Sequence, residues 1–346
     1  LNPKIYSLYN FKDDIVAEKK NSIVEIAKRT NVSIATVSRV INRAEGYSEK
    51  TKQKVLKAIR ESGYSPNLNA VSLRTHKSMC IGVIVPDITN EYFARLIREL
   101  DDFFVTQKYT LLICDTNEDE KKEQTQLRNL ISRNVDAIIY ISGQDRIPKI
   151  NASSCPFIVY IDRCPKNASV LVQSDNVSGG YLATKELLDK GCKKILFARD
   201  KRDVSIVVER REGYLKALGE YGVPYVPTME LYTSPEYEAA RRSLKKRLTA
   251  KALDFDGIFC STDMIALGCV NALQETGYRV PDDVKIVGFD NVSLSKFCNP
   301  SITTITQDSH AIAYTAGALI IDKLHRKFIK NTHILIPVTL ERRKTT

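Results

Sequence analysis

Short apolar runs alternate with longer segments of helical period from Cys80 onward, and this alternation constrains the fold more than any other feature of the chain. Seven runs are predicted to be buried strands because they are short, apolar and rich in β-branched residues. They are Cys80–Val85, Tyr109–Cys114, Ala137–Ile141, Phe157–Ile161, Lys194–Ala198, Gly257–Cys260 and Lys285–Phe289. Helical periodicity is present between them at Tyr92–Gln107, Glu120–Arg133, Val177–Lys190, Glu209–Tyr221 and Asp263–Thr276. Apolar strands separated by helices predict an α/β fold with parallel sheets that helices cover on both faces.

Seven strands are many for one sheet with this spacing, so we expect two doubly wound lobes of similar size. The lobes would separate near Gln173–Asn176, and the chain would cross between them again near residues 300–307 and 328–335. Ligands of open α/β sheets bind beyond the carboxyl ends of the strands. Residues that directly follow predicted strands are therefore candidate ligand contacts, and they include Asp87, Asp115, Asp162, Arg163, Ser261, Thr262, Asp263, Asp290 and Asn291.

Residues 22–63 have a helical pattern throughout and predict a separate three-helix domain. Asn31 permits a tight turn, while Ser33 and Ser48 are candidate N-caps of a second helix and of a third helix over Glu49–Ser62. The predicted core positions are Ile23, Ile26, Ala27, Val37, Val40, Ile41, Val55, Leu56 and Ile59. The opposite face of the second helix is small and polar and carries Arg39, as expected of a helix that enters the major groove of DNA.

The distribution of charge supports this interpretation. Residues 21–79 contain eleven Lys or Arg and only four Asp or Glu, although the whole 346-residue chain has a net charge of +11. A local excess of basic residues is what the neutralisation of DNA phosphates requires, and it is equally compatible with a solvated Lys-rich surface. We divide the chain into an extension at 1–21 that is non-native or disordered, a DNA-binding domain at 22–63, a hinge at 64–78 and a two-lobed domain at 79–346.

Several other classes of protein are disfavoured by the sequence. The eight cysteines include no C-x-x-C pair and lie mostly in apolar runs, which indicates buried, reduced thiols and a cytoplasmic protein. The four histidines have no metal-ligand spacing, and no apolar run reaches the length of a membrane span. The nucleotide-binding and hydrolase motifs of α/β enzymes are missing as well. We therefore expect neither an enzyme nor a metal, cofactor or membrane-bound protein.

Taken together, the motifs of this chain resemble those of the LacI/GalR repressor family. The resemblance extends over nearly the whole chain from residue 22, and its order and spacing are more specific than any single motif. It is carried by Val32–Asn42, Gly63–Leu73, Ile84–Phe93, Val159–Arg163, Ser174–Gly180, Thr262–Gly268, Gly288–Asn291 and Thr303–Gln307. It implies a helix-turn-helix domain, a hinge helix and a two-lobed domain like that of periplasmic sugar-binding proteins.

The resemblance also implies a homodimer that binds operator DNA through specific residues. Arg39, Ile34 and Ala35 would face base edges, while other residues of the helix and hinge would contact the backbone. Leu73 matches the leucine that the family inserts into the minor groove, with a dimer-core leucine as the alternative. Val71 departs from the family, which often has a polar residue there. The full set of implied DNA contacts is Ser33, Ile34, Ala35, Thr36, Ser38, Arg39, Asn42, Tyr64, Asn67, Ala70 and Leu73.

A small-molecule effector between the lobes is the second implication of the resemblance. The implied contacts are Tyr92, Phe93, Asp162, Arg210, Tyr232, Thr262, Asp290 and Gln307. Structural roles stay open for three of them: Phe93 in the core, Asp162 in an ion pair with Arg163, and Asp290 as a cap. Thr262 replaces an asparagine that is common in relatives, and Asp200–Val208 has no clear match to the family.

We therefore expect a transcriptional regulator, and more specifically a repressor of carbohydrate or related metabolic genes controlled by a sugar or sugar phosphate. One alternative is a regulator controlled mainly by a protein partner such as a phosphorylated carrier protein. Another alternative is a sugar-binding protein that does not bind DNA.

Overall fold

The computed structural model describes residues 22–41, 45–64, 77–141, 155–163, 165, 168–330 and 332–346. It divides the chain into two compact units, with the boundary before Lys77. The first unit is helical, and the second is an α/β unit of two lobes. Within the described ranges, no helix is both long enough and apolar enough to cross a membrane, and no cluster of His, Cys, Asp and Glu side chains is arranged to hold a metal ion.

Three helices form the first unit: α1 (Ile23–Thr30), α2 (Ile34–Ile41) and α3 (Glu49–Ser62). The turn after α1 depends on Asn31, which has a left-handed backbone with φ of 50°. Ser33 and Ser48 begin the next two helices, because their hydroxyls accept hydrogen bonds from Thr36 N at 3.1 Å and Thr51 N at 3.2 Å. These contacts confirm the predicted turn, caps and third helix.

The core of the first unit is small and differs from the prediction at one position. Ile26, Val37, Val40 and Val55 are buried as predicted. Leu56 is 38% exposed instead, and Ala58 is buried in its place. The periodicity of α3 allowed either face, and the small Ala58 lets α3 pack closely against its neighbours while Leu56 points away.

The first lobe of the second unit contains a six-stranded parallel sheet with strand order β11-β5-β4-β3-β1-β2. Helix α4 and helix α11 pack on one face of this sheet, and α5 packs on the other. The strands are β1 (Cys80–Val85), β2 (Thr110–Asp115), β3 (Ala137–Tyr140), β4 (Phe157–Ile161), β5 (Leu171–Ser174) and β11 (His333–Ile336). The helices are α4 (Glu91–Thr106), α5 (Glu120–Ser132) and α11 (Ser309–Leu324).

The second lobe repeats this architecture with strand order β12-β10-β9-β8-β6-β7, in which only the edge strand β12 is antiparallel. Its strands are β6 (Ile195–Asp200), β7 (Glu230–Thr233), β8 (Gly257–Cys260), β9 (Lys285–Phe289), β10 (Thr303–Gln307) and β12 (Val338–Glu341). Its helices are α6 (Asn176–Asp189), α7 (Ser205–Glu220), α8 (Tyr237–Ala250), α9 (Asp263–Glu275) and the short α10 (Ser293–Phe297).

The chain crosses between the lobes three times. The crossings fall at Asp175, between β5 and α6, at Asp308, between β10 and α11, and at Pro337, between β11 and β12. The first crossing lies where the sequence predicts it, and the other two lie a few residues beyond the predicted ranges. Because the two sheets face each other with their carboxyl edges, both sets of post-strand residues are directed at one cleft.

Helices α6 and α7 approach each other to backbone contact, and two glycines make this possible. A Cβ atom on Gly180 would lie 2.0 Å from the carbonyl oxygen of Arg210, and one on Gly213 would lie 2.0 Å from that of Val177. No heavy atom lies within 4 Å of the corresponding position on Gly219, which is also in α7. The crossing therefore requires glycine at 180 and 213 but not at 219.

We expect Gly213→Ala to destabilise the two-lobed unit by about 1–3 kcal/mol, because the helices must separate to admit the methyl group. The matched change Gly219→Ala should be neutral or stabilise by up to about 1 kcal/mol through helix propensity. Urea unfolding monitored by circular dichroism measures both. Equal stability of the two variants would show that the close helix crossing does not exist.

Candidate functional site

Helix α2 exposes one face to solvent. Because Val37 and Val40 are buried against the other helices, the opposite side of α2 exposes Ile34, which is 46% accessible, together with Ala35 and Arg39. Ser33 is exposed at the start of the helix, and Thr36 and Ser38 are half-buried. Within the described ranges, Arg39 forms no ion pair, so its guanidinium is open to a ligand.

The remaining sequence-predicted DNA contacts fall in two groups. Tyr64 packs partly against the core of the first unit, and its backbone N–H donates to Ser62 Oγ and to Ile59 O at 3.3 Å. Asn42, Asn67, Ala70 and Leu73 lie outside the described residues, as does most of the predicted hinge.

A cleft of about 380 Å³ lies between the two lobes of the second unit. Its volume is in the range of small-molecule sites in proteins. Of the eight sequence-predicted effector contacts, seven line this cleft: Tyr92, Phe93, Asp162, Arg210, Thr262, Asp290 and Gln307. They come from both lobes, so one ligand in the cleft can touch both.

The first lobe contributes two aromatic rings and a buried carboxylate to the cleft. Tyr92 and Phe93 begin α4, with ring centroids 5.3 Å apart, and Asp162 directly follows β4 in a left-handed backbone with φ of 67°. Asp162 is 1% exposed. Among the described residues, neither Asp162 Oδ1 nor the Tyr92 hydroxyl has a hydrogen-bond partner. Buried polar atoms are normally paired, so these two atoms indicate a polar ligand.

The alternative roles of Phe93 and Asp162 are resolved by their contacts. Phe93 is buried and lines the cleft at the same time. Arg163 donates to Glu118 with nitrogen–oxygen distances of 2.9 and 3.0 Å, so its close carboxylate partner is Glu118 and not Asp162. Asp162 lines the cleft, and its Oδ1 has no hydrogen-bond partner among the described residues.

Arg210 dominates the wall that the second lobe contributes. Its side chain is 1% exposed, and its Nε donates to Asn176 Oδ1 at 2.9 Å while Nη1 donates to Ser261 O. Its guanidinium carbon lies 3.5 Å from the centre of the Phe289 ring. The nearest carboxylate is Asp290, with a nitrogen–oxygen distance of 3.8 Å.

Asp290 lies beside Arg210 in an unusual backbone conformation, with φ of 108°. It accepts a hydrogen bond of 2.7 Å from Gln307 Nε2, and the N-cap position of α10, the helix that follows, is Val292. Burial raises the pKa of Asp290 to about 8, helped by the charges of Asp263 and Asp162 and opposed by Arg210. A strained residue in a cleft is typical of functional sites.

The other protonation equilibria give the cleft both donors and acceptors. Burial raises the pKa of Asp162, while Arg210 and Arg163 lower it less strongly. Burial and the neighbouring carboxylates raise the pKa of Tyr92 well above its ordinary value, so the phenol keeps its proton. The Tyr92 hydroxyl can thus donate, and the carboxyl oxygen of Asp162 can accept, where a ligand hydroxyl would do both.

The rim of the cleft contains an ion-pair network that joins the lobes. Glu118 of the first lobe accepts from Arg163 and lies 3.0 Å from Arg202 of the second lobe. Arg202 also pairs with Asp200 at 2.6 Å. Below this network, Val204, Ile206 and Val207 form a small buried apolar cluster that lines the cleft. The segment without a clear family match therefore forms much of the second lobe's wall.

Tyr232 is not brought to the cleft, which corrects the expectation for this residue. It is 55% exposed, its ring stacks against Arg199, and its hydroxyl donates to Glu230 Oε2 at 2.9 Å. Strand β7 alternates, so Thr233 is buried where Tyr232 points outward. Thr262 does line the cleft, and its hydroxyl also caps α9 by accepting from Ile265 N at 3.2 Å.

Several cleft residues have no family-based assignment. Asp87, Arg163 and Ser261 follow strands, so the post-strand rule identifies them. Glu118 and Arg202 pair across the lobes, and no local sequence signal identifies such a pair. Asp263 lies behind the cleft, where it accepts from Thr304 Oγ1 at 2.6 Å and from Val292 N at 2.9 Å and so fixes the loop after β9.

Comparison with known proteins places both units. Residues 22–67 match the family described as bacterial regulatory proteins, lacI family, and residues 184–346 match the periplasmic binding protein-like domain. The chain is 33% identical to the HTH-type transcriptional regulator RegA of Clostridium saccharobutylicum over 94% of this chain and 99% of that protein. It is also 33% identical to the ribose operon repressor of Halalkalibacterium halodurans, over 94% of this chain and 97% of that protein.

The fold is similar to that of solved structures. The Lac repressor dimer bound to operator and the anti-inducer ONPF superposes with a TM-score of 0.83 at 22% identity, covering 94% of this chain and 98% of that chain. A LacI family transcriptional regulator from Enterococcus faecium with bound ribose has a TM-score of 0.67 at 27% identity, over 77% of this chain and 98% of that chain.

The titration of Asp290 gives a testable pH dependence. Asp290 keeps its proton up to about pH 8 in the folded state, whereas an aspartate in the unfolded chain loses its proton near pH 4. The contribution of Asp290 to the free energy of unfolding is therefore fully present below pH 4 and is lost as the pH rises to 8. Asp290→Asn should flatten the decline by up to about 1.4 kcal/mol per pH unit.

The measurement is urea unfolding from pH 4 to 9. Part of the decline should remain in Asp290→Asn, because burial raises the pKa of Asp263 to about 7. The control is Asp282→Asn, which removes the same carboxyl group from an exposed position outside the cleft. A slope unchanged by Asp290→Asn would mean that this carboxyl is ionised in the folded protein.

Proposed function

The chain belongs to the LacI family of bacterial regulatory proteins and is a DNA-binding transcriptional regulator, and on this premise we propose that it is a repressor whose operator affinity is set by a neutral sugar bound between its lobes. The observation that carries the effector proposal is a pair of buried polar atoms without partners among the described residues, Asp162 Oδ1 and the Tyr92 hydroxyl, in two residues that line the cleft. A sugar effector is consistent with a repressor of carbohydrate genes. One relative of the chain is named as a ribose operon repressor.

Operator recognition is assigned to the exposed face of α2. Arg39 is the cation on this face with the reach to form a bidentate pair with guanine, and Ile34 and Ala35 offer apolar contacts to thymine methyl groups. Ser33, Thr36 and Ser38 lie where hydroxyls can contact phosphates. We further assign Asn42, Tyr64, Asn67, Ala70 and Leu73 to the same interface by their match to the family.

The chemistry of the cleft favours an unphosphorylated ligand. Carboxyl groups outnumber basic groups among its lining residues, six to four. The three arginines are already engaged: Arg163 with the carboxylate of Glu118, Arg202 with those of Asp200 and Glu118, and Arg210 by hydrogen bonds to Asn176 Oδ1 and Ser261 O. A phosphate would have to displace these partners, whereas hydroxyl groups can use the free acceptor and donor positions.

The walls of the cleft suit a ring with one apolar face. Tyr92 and Phe93 of the first lobe and Val204, Ile206 and Val207 of the second lobe line the same cavity. A pyranose or furanose offers C–H faces to such surfaces and hydroxyls to Asp162, Asp290 and Gln307. Gln307 Oε1 is a further buried acceptor without a partner among the described residues. Related structures include one with bound ribose.

Control of DNA binding would follow from the two-lobed arrangement. A ligand that touches both lobes favours one lobe arrangement by its differential affinity, and only by that amount. The first lobe begins at Lys77, directly after the segment that connects it in sequence to the DNA-binding unit. We infer a homodimer that binds two half-sites, because one helix-turn-helix buries too little DNA for a specific regulator.

The DNA assignment predicts that Arg39→Ala weakens binding to the selected operator by about 1–3 kcal/mol. The operator is obtained by selection from a random duplex library with the wild-type protein, and affinity is measured by fluorescence anisotropy. The control Arg60→Ala removes an equal charge from the exposed face of α3. If Arg39→Ala weakened binding to random DNA as strongly as binding to the operator, Arg39 would contact phosphates and not bases.

The effector assignment predicts that an unphosphorylated sugar, found by a thermal-shift screen, changes operator affinity. Asp162→Asn replaces a carboxyl oxygen by an amide donor of the same shape, so it should weaken binding of that sugar by about 1–3 kcal/mol. Operator binding in the absence of the sugar should be unchanged. Asp102→Asn, at an exposed aspartate of α4, is the control.

Two results would contradict the effector proposal. The first is a sugar response that Asp162→Asn leaves intact. The second is a response to sugar phosphates or to a phosphorylated carrier protein with none to neutral sugars.

A further inference from the structure

One ion pair spans the cleft at its rim and joins the two lobes. Glu118 of the first lobe lies in the loop after β2, and Arg202 of the second lobe lies in the loop after β6. Arg202 Nη1 lies 3.0 Å from Glu118 Oε2, and both residues line the cleft. The two side chains are 33% and 26% exposed, so solvent reaches the pair. A contact at this position breaks whenever the lobes move apart.

Each partner of this ion pair also has a counter-ion in its own lobe. Arg163 donates to both carboxylate oxygens of Glu118, at 2.9 and 3.0 Å. Asp200 accepts from the side chain of Arg202, at 2.6 Å from Nη2 and 3.0 Å from Nε. Burial alone would raise the pKa of Glu118, but Arg163 and Arg202 lower it below its ordinary value, so the carboxylate is charged at neutral pH. Separation of the lobes would leave no charge without a partner, which limits the cost of opening.

The backbone of both loops holds the two side chains in position. Asn117 and Glu118 both have a left-handed backbone, with φ of 51° and 58°, and Glu118 N donates to Pro86 O at 2.9 Å. On the other side, Asp200 Oδ1 accepts from the backbone N–H of Arg202 at 3.0 Å. Because both loops are fixed within their own lobes, little conformational entropy is lost when the ion pair forms.

The segment that contains Arg202 also forms a wall of the cleft. Val204, Ile206 and Val207 follow Arg202 in the chain, pack together and line the cleft. The ion pair between Glu118 and Arg202 therefore connects the first lobe directly to the segment that supplies the second lobe's apolar wall. When the pair forms, this wall is held towards the aromatic rings of the first lobe.

We propose that Glu118 and Arg202 form a latch that holds the cleft closed over its ligand and opens without leaving an unpaired charge. The proposal rests on the proposed function only in taking the retained ligand to be a neutral sugar. A partly exposed ion pair changes an equilibrium by about two- to fivefold, which suits a contact that has to break and re-form. Since a neutral ligand carries no charge, salt acts on its release through the protein's own ion pairs.

The first test needs no ligand and uses the full-length protein. Hydrogen–deuterium exchange is measured by mass spectrometry for peptides that cover residues 159–163 and 259–263, which lie in opposite walls of the cleft. Arg202→Gln should accelerate exchange in both peptides by about two- to fivefold, because the walls exchange faster when the cleft opens more often. Arg128→Gln is the control, since it removes the same side chain from an exposed position of α5 outside the cleft.

A double-mutant cycle shows whether the two residues act as one contact. Glu118→Gln leaves the pair between Arg202 and Asp200 intact, so it tests the latch even if Arg202→Gln does not fold. The double variant Glu118→Gln/Arg202→Gln should exchange no faster than the faster single variant, because either change alone breaks the latch. Thermal unfolding establishes which variants are folded.

The second test measures how fast the sugar from the thermal-shift screen dissociates, by displacement of the radiolabelled sugar. Arg202→Gln should raise the dissociation rate by about two- to fivefold relative to the wild type and to Arg128→Gln. An increase in NaCl from about 0.05 M to about 0.5 M should raise the wild-type rate and change that of Arg202→Gln much less.

Three outcomes would overturn the latch. The first is equal exchange in Arg128→Gln and in both Glu118→Gln and Arg202→Gln. The second is a double variant in which the two effects add, because the residues would then act separately. The third is a dissociation rate that Arg202→Gln leaves unchanged. If no neutral sugar binds at all, the effector proposal fails by itself, and the exchange measurements still decide whether the latch exists.

Discussion

The buried guanidinium of Arg210 is the interaction on which the second lobe's side of the cleft depends. An unpaired cation in a protein interior costs several kcal/mol, so it persists only with full compensation. Here Asn176, Ser261 and the Phe289 ring each engage a different part of the group. Lysine could not replace it, because its compact ammonium lacks the extended planar group that reaches two separate acceptors while stacking on a ring.

The position of Arg210 also depends on the glycines that let α6 and α7 touch. Asn176 begins α6 and Arg210 lies in α7, so the hydrogen bond between them exists only while the two helices are in backbone contact. The same helix contact therefore packs the second lobe and positions Arg210 in the wall of the cleft. A methyl group on Gly180 would press directly on the backbone of Arg210.

Sequence periodicity predicts the fold well where strands are uniformly apolar. Four of the seven predicted strands, among them Phe157–Ile161 and Lys285–Phe289, have the observed bounds. Strand β6 is observed to continue through Arg199 and Asp200, two charged residues that hydropathy excludes from a strand. Arg199 is tolerated because Asp203 and the buried Glu230 lie beside it, and Glu230 comes from β7, more than twenty-five residues away in sequence. Such compensation depends on tertiary contacts and has no local signal.

Part of the candidate cleft could also be predicted from the positions of the strands. Asp162, Thr262 and Asp290 follow strands, and the carboxyl edges of parallel sheets bring such residues together. Tyr232 was assigned by the family resemblance and not by this rule, and β7, whose alternation directs it outward, is not among the predicted strands. The ion pair between Glu118 and Arg202 could not be predicted from the sequence, because it depends on how the two lobes face each other.

The segment from Asp290 to Ser293 shows how a ligand in the cleft can act on the contacts between the lobes. Asp290 and Asn291 both have positive φ, which only a well-determined environment maintains. On one side Asp290 contacts Gln307 and lies near Arg210, and on the other the backbone of Asn291 and Ser293 is held by Arg95 and Glu91 of the opposite lobe. Four residues thus connect the cleft wall to the interlobe contacts. A ligand that shifts Asp290 must change the energy of those contacts, and by linkage any group that strengthens them must change the affinity of the cleft by the same factor.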